Sequence, residues 1–310
     1  MDIRLATFNL ENLGIRDGED SPEARTRLSG HLSALRRVLR DLDADAVAFQ
    51  ECLQPELLDP LLEGLGYPHR VVSSPGGSPL RVGVCSRQPL GPAQEVARAT
   101  DTSVADPTSG FCLQISGAFS RPVLKVPWRL PGLEIVLFVV HGKSKIPTPT
   151  PARPDPSAGP WPSLGEVSLG RLLTEVKRLA QAVELRRAVD AVLAADPETA
   201  VAVLGDFNDV LESEAVRCVL GDAGAVYSPH LESGGLYPCE LELPAARRFT
   251  QVYRGRREMI DHLLVSRRLR QMLDGVEVCN AGLRDSGATA PGEGQFVGSD
   301  HAPLLAVFRT

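Results

Sequence analysis

Val201-Ala202-Val203-Leu204 runs without a polar residue straight into Gly205-Asp206-Phe207-Asn208. Such a run reads as a buried strand, so Asp206 and Asn208 fall just past its end. At the carboxyl end the order is mirrored. Ser299-Asp300-His301 opens onto Ala302 to Phe308, which reads as a final strand with Asp300 and His301 at its mouth. Four more segments place polar groups beside apolar runs: Thr7-Phe8-Asn9-Leu10-Glu11-Asn12, Phe49-Gln50-Glu51, Val140-His141-Gly142-Lys143-Ser144-Lys145 and Met259-Ile260-Asp261-His262. In α/β proteins, strand ends on one edge of a sheet are where sites are assembled. Each segment alone is a weak signal, and an ordinary polar strand end or an Asx turn is its default reading. Together, carboxylates, amides and imidazoles at strand ends are the parts of a metal-assisted hydrolase.

The rest of the chain supplies helices and hairpins around those strands. Ser21-Pro22 fits a helix start, and Leu28, Leu32, Leu35, Leu39 and Leu42 follow as one apolar stripe. Leu172, Val176, Leu179 and Val183 read as a second helical stripe running on to Val192, and Ser213 reads as the cap of a short helix ending near Gly221. Between 67 and 140, short apolar runs broken by Gly and Pro point to antiparallel hairpins, with Val82–Ser86, Phe111–Ser116 and Ile135–Val140 as strands. Residues 146–162 hold seven prolines and cannot be helix or sheet interior. That stretch is expected to be an insertion near the site rather than a hinge between domains. Residues 221–248 read as irregular. No internal repeat is visible, and a single domain over 1–310 is the expectation.

Net charge of −6 argues against a protein that coats nucleic acid by bulk electrostatics, but a local basic strip beside an acidic site suffices for a nuclease. Eight arginines between 247 and 270, with Phe249 and Tyr253 interleaved, are candidates for that strip. Arg254 and Arg256 are its central members. No window approaches a membrane span, and no basic-then-apolar segment opens the chain, so cytoplasmic residence is the expectation. Six scattered cysteines without a C-x-x-C pair argue against a zinc-thiolate site.

On the residues alone, Glu51 is the best metal ligand. Asn9 and Glu11, sharing a face of the first strand, support it or the metal. His141 and Lys143 face phosphoryl oxygens, Asp206 deprotonates or orients the attacking water, and Asn208 donates to the phosphate. Asp300 serves the metal. His301 is the base, paired with Asp261 or another acid from a different strand because neighbours along a strand point apart. His262 falls on the opposite face and reads as structural.

In this order the six segments resemble the endonuclease/exonuclease/phosphatase superfamily, the DNase I-like group, from Thr7 to Phe308. The resemblance implies an α/β (α+β) four-layer α/β/β/α sandwich of two mainly antiparallel sheets. It also implies Mg²⁺- or Mn²⁺-dependent phosphoester hydrolysis, with Glu51, Asn9, Glu11 and Asp300 toward the metal and His141, Asp206, Asn208, Asp261 and His301 in catalysis. Lys143, Asn208, Arg254 and Arg256 would bind substrate. His141 makes the apurinic-site branch the poorer match. Gly142, where a bulky apolar residue is common, and the Pro-rich insertion depart from the compact nucleases. Nucleic acid is the expected substrate. A small or lipid phosphoester (inositol phosphate, a sphingomyelin-type headgroup, a nucleotide) is the alternative, and a non-catalytic binding module the third reading. No obligate protein partner is implied.

Overall fold

The structure is a computed structural model that describes every residue except 1, 17, 155–158, 222–230, 232–233 and 288–297. Its first strand, β1 (Asp2–Leu13), leads into α1 (Pro22–Leu42) and then β2 (Ala46–Cys52). β1 and β2 pair in parallel, Leu5 opposite Ala46 and Asn9 opposite Gln50, and α1 is the crossover that a parallel pair requires. The capping expected at its start is present: Ser21 Oγ accepts from Ala24 N at 3.2 Å, with Pro22 in the first turn. After the short α2 (Leu58–Leu62) come β3 (His69–Val72) and β4 (Arg81–Ser86), which extend this sheet antiparallel beyond β2.

Next along the chain are β5 (Gln94–Val96), the exposed hairpin β6 (Ala99–Ala105) and β7 (Cys112–Ala118), β8 (Val123–Leu130) and β9 (Leu133–His141). The helix α3 (Leu164–Ala195) then crosses over to β10 (Ala200–Asp206), parallel to β9 with His141 opposite Asp206. The remaining elements are α4 (Glu214–Leu220), β11 (Tyr237–Pro238), the hairpin β12 (Gln251–Tyr253) and β13 (Arg256–Glu258), β14 (Asp261–Val265), α5 (Arg267–Met272), β15 (Leu273–Val278) and β16 (Leu304–Arg309). One sheet runs β15-β16-β1-β2-β4-β3 and the other β11-β14-β10-β9-β8-β5. Each has a central parallel pair joined by a long helix and flanked by antiparallel strands. The chain thus repeats a connectivity plan that its residues do not repeat.

Three apolar clusters define four layers. Ile3, Leu5, Ala48 and Val84 from the first sheet meet Leu137, Val139, Leu204 and Leu263 from the second between the sheets, around the fully buried Trp128. Phe8, Leu10 and Phe49 pack outward under Leu35, Leu39 and Leu42 of α1. Val201, Val203 and Phe138 pack outward under Leu185, Val189 and Leu193 of α3, with Val216 and Val219 of α4. The two sheets therefore lie face to face with helices outside.

The helical stripe expected from Leu172 to Val183 does not face the core. Leu172 is 59% exposed and Leu179 38% exposed, whereas Gly170, Thr174, Arg178 and Gln181 are buried. The reason is the Pro-rich stretch, which lies against this half of α3. Thr148 N donates to Gly170 O at 3.0 Å, and Thr174 Oγ1 donates to Ile146 O at 3.0 Å. Small and polar residues allow that approach where an apolar stripe would block it. A Cβ on Gly170 would sit 2.7 Å from Thr148 O. Of the irregular stretch expected over 221–248, residues 222–230 and 232–233 lie outside the described residues.

Candidate active site

Strand alternation decides which polar residues reach the space between the sheets. Ile3 and Leu5 face inward on β1, so Thr7 and Asn9 do too; Leu137 and Val139 on β9 carry His141 inward; Ala202 and Leu204 carry Asp206; Leu263 and Val265 place Asp261 on the same face. Glu51 breaks the rule. Phe49 faces outward, and strict alternation would send Glu51 outward as well. Its φ of +60°, within a register shift between β2 and its neighbours, turns it inward instead. A non-glycine residue held in this left-handed region costs of order 1 kcal/mol and persists where the surroundings impose it. Asn208, at φ +54°, is a second such residue in the same site.

The inward groups converge. Asn9 Nδ2 donates to Glu51 Oε1 at 3.3 Å and to Asp206 Oδ2 at 3.0 Å. Asn12 N donates to the other Glu51 oxygen at 2.9 Å. His141 Nε2 lies 3.7 Å from Glu51 Oε1 and 3.5 Å from Asp206 Oδ2. On the other side of Asp206, His301 Nδ1 is 2.7 Å from Asp261 Oδ2, the pairing expected from the sequence. Glu51, His141 and Asp206 form one group, and Asp206, Asp261 and His301 another; the donor atoms within each lie within 4.8 Å of one another. Asp206 is the shared member. Its Oδ1 accepts from Asn208 N at 2.7 Å, and Asn208 Nδ2 donates to Asp206 Oδ2 at 3.0 Å and to Gly142 O at 3.2 Å.

Burial raises the Asp206 carboxyl to about 7; His301 opposes the shift, and the charges of Asp261 and Glu51 add to it. His141 is held well below its ordinary range by burial and by the charges of Arg121 and His301, so it is a neutral imidazole. For His301 burial works against the charged ring, but Asp261, Asp206 and Asp300 outweigh it and hold the ring well above its ordinary value. The buried Asp206 and Asp261 and the half-buried Glu51 fit a divalent cation. Asp261 Oδ1 is buried without a hydrogen-bond partner among the described residues, and the Glu51, Asp206 and His141 donors already converge.

Other expected members fall elsewhere. Glu11 does not share the face of Asn9, because Glu11 and Asn12 both adopt positive φ (50° and 51°) and kink the strand. Its carboxylate pairs with Arg284 and accepts from Asp300 N at 2.9 Å. Asp300 thus sits beside Glu11, outside both groups of converging donors. Lys143 donates to Ser144 O and Ile146 O at 2.9 Å each, turning its ammonium along the loop. The expected arginine strip is split. Arg248 donates to the carbonyls of Leu243 and Leu241, and Arg257 stacks on Phe249. Arg267, Arg268 and Arg270 belong to α5, past the end of β14 opposite Asp261. Arg254 and Arg256 are exposed at the β12–β13 turn, about 10 Å of strand beyond Gln251. His262 is fully buried on the opposite face, between Glu240 Oε1 at 2.5 Å and Asp209 O at 2.8 Å.

Three site residues escaped the sequence reading. Arg121 donates to Gly142 O at 2.9 Å; burial lowers its pKa while Asp206 and Glu51 raise it, which places its charge beside both acids. Thr250 Oγ1 accepts from Ile260 N and Asp261 N at 3.2 Å each and so fixes the entry to β14. Gln251 Nε2 lies 3.2 Å from His301 Nε2. None ends an apolar run, so nothing in the local sequence marks them. Gly142, noted as a departure, has a structural reason: a Cβ there would sit 2.6 Å from Phe207 O.

The comparisons with known proteins agree with this architecture. No curated protein matches the sequence. Among solved structures, the human nocturnin catalytic domain is similar with a TM-score of 0.60 at 15% identity, covering 99% of this chain and 94% of its own. A humanised TDP2 from D. rerio gives 0.57 at 16%, covering 100% and 99%. The mannosyl-6-phosphatase of Bacteroides thetaiotaomicron gives 0.57 at 15%, covering 98% of each. At such identities the likeness is one of fold. The Endonuclease/Exonuclease/phosphatase family matches residues 6–301. Spanning nearly the whole chain and every strand end of the site, that match shows that this protein belongs to the endonuclease/exonuclease/phosphatase family and is a metal-dependent phosphoester hydrolase.

Proposed function

We propose that the protein is a nuclease, hydrolysing phosphodiesters of DNA or RNA with Mg²⁺ or Mn²⁺. Glu51 and Asp206, with His141 beside them, would hold the cation. Oxygen-rich donor sets suit these hard ions. Once bound, the cation supplies Lewis-acid polarisation of a phosphoryl oxygen.

The observation that carries the mechanism is Asp206, raised to about 7 and set beside a His301 that Asp261 keeps charged. That value applies without the cation; a cation beside Asp206 would lower it, leaving the carboxylate ionised at neutral pH and able to accept a proton. Asp206 takes the proton of the attacking water as its oxygen bonds to phosphorus and the bond to the leaving oxygen breaks. His301, kept charged, donates a hydrogen bond to a non-bridging oxygen as negative charge builds there. This differs from the sequence expectation of His301 as the base, since a ring that already holds its second proton has no site to accept another. Asn208 and the Arg121 guanidinium complete the donor set around the phosphoryl group. The cations Arg121 and Lys143 beside the end of β9, and the exposed Arg254 and Arg256 at the hairpin, favour a polyanionic substrate despite the net charge of −6.

The test is cleavage of supercoiled plasmid and of single-stranded oligonucleotide with Mg²⁺, Mn²⁺ or EDTA, with His301→Ala as the contamination control. Cation-dependent cleavage absent from the variant supports the nuclease. Turnover of small phosphoesters alone, with both nucleic acids untouched, overturns it.

A further inference from the structure

A cavity of ≈ 660 Å³ opens beside the catalytic centre, between the loop before β8 and the Pro-rich stretch. Phe119, Ile146, Pro147 and Trp161 give it apolar walls, and Lys143 and Lys177 line it as well. It adjoins the site twice over. Lys143 lies two residues beyond His141, and Ser120, another lining residue, precedes Arg121.

The walls are built rather than left over. Trp161 is braced on one side by the Arg153 guanidinium, 4.8 Å from the ring centroid, and its far edge rests against Gly170, where a Cβ would sit 2.8 Å from the ring. Ile146 is 70% exposed, an unusual state for a β-branched apolar residue on a loop tied down by Thr148 and Thr174. Arg121, Lys177 and Arg178 all add positive potential at Lys143, with Glu175 opposing them. Aromatic and proline faces beside excess positive charge match a flat ring attached to a phosphate. A hydrocarbon tail would call for a continuous apolar lining, whereas here Lys143, Ser144, Lys177 and Gln181 interrupt it.

We infer that this cavity is a subsite for one unstacked nucleotide next to the scissile phosphate, its base against Trp161 and Phe119 and its phosphate at Lys143 and Lys177. The inference rests on the nuclease reading above and narrows it to single-stranded substrate. A base inside a duplex is paired and stacked on both sides, and entry would cost its unstacking.

The chain reports on this cavity itself. Of its two tryptophans, Trp128 is fully buried in the core, so Trp161 is the one a ligand reaches. In EDTA, where nothing is cleaved, a single-stranded tetranucleotide should quench the fluorescence of the unaltered protein saturably. Relaxed closed-circular duplex and phosphatidylinositol vesicles should not. By anisotropy of a labelled tetranucleotide, Trp161→Ala and Lys177→Ala should each raise Kd about tenfold, and Trp161→Phe should restore most of the loss. Hydrolysis of bis(4-nitrophenyl) phosphate, too small to span both places, should be unchanged in all three variants. Absence of quenching, equal quenching by duplex or vesicles, or equal losses on the small diester would overturn the subsite. If Trp161→Ala does not fold, the unaltered protein and Lys177→Ala decide the same question. Quenching without cleavage of any nucleic acid would overturn the nuclease reading while leaving the subsite standing. Cleavage without quenching would do the reverse.

Discussion

Asn9 Nδ2 donates to Asp206 Oδ2 at 3.0 Å, across 197 residues of chain and from one sheet to the other. The same amide holds Glu51 Oε1 at 3.3 Å. One neutral side chain therefore spaces two carboxylates that would otherwise repel each other, and it fixes the distance between the halves of the site.

Asn9→Ala should raise the Mg²⁺ or Mn²⁺ concentration needed for half-maximal activity by roughly 10–100-fold, as the loss of a group that orients ligands does. The fold should survive, because the rest of β1 stays paired on both sides. Activity as a function of cation concentration checks the first statement, and thermal unfolding the second.

Asp206→Asn should lower kcat by about two to four orders of magnitude with a small change in KM, since it removes a proton acceptor. Glu51→Ala should act chiefly on the cation requirement. Single-turnover rates at saturating cation separate the two. Near-normal kcat in Asp206→Asn would remove its role as base.

The pH profile follows from the shifts. Asp206 must lose its proton to accept one, so kcat/KM should rise with pH through a limb at or below about 7, the cation pulling that limb downward. His301 must keep its charge, so activity should fall again on the alkaline side, well above 6.5. His301→Gln should lose the alkaline limb and retain the acidic one. Initial rates from pH 5 to 10 decide this.

Stability without cation should carry the same signature. The folded-state pKa of Asp206 is raised above its ordinary 3.8, so the folded protein binds the extra proton between that value and about 7. Its contribution is complete at low pH and is lost as pH rises through about 7. A cation replaces the missing proton. The rise in Tm on adding Mg²⁺ should therefore be larger at pH 8 than at pH 5.5, and an equal rise at both would contradict the assignment.

Gly142→Ala should destabilise by about 1–3 kcal/mol, since the new Cβ would meet Phe207 O at 2.6 Å on packed backbone. It should also lower kcat, because Gly142 O accepts from both Asn208 and Arg121. Urea unfolding followed by kinetics on the folded fraction measures each effect.

The amino-acid sequence by itself determined the strand ends and therefore most of the site. Asn9, Glu51, His141, Asp206, Asn208, Asp261 and His301 each adjoin an apolar run, and a period of two assigns most of them a face without reference to the rest of the chain. Local chemistry likewise placed Ser21 and Ser213 as helix caps. Only the tertiary structure decided what depends on two segments meeting. Glu51 faces the site because a register shift turns the backbone against the period, while Glu11 leaves it because a kink sends its carboxylate to Arg284. In the first half of α3, Leu172 and Leu179 lie outside because the Pro-rich stretch covers the small and polar face of the helix there, a competition between two surfaces that helical periodicity alone cannot rank. Arg121, Thr250 and Gln251 joined the site by long-range contact alone, and the arginines of α5 left it because β14 carries them to the far end of the sheet. Periodicity is a property of neighbours along the chain, whereas the charge around Asp206 is a sum over residues hundreds of positions apart.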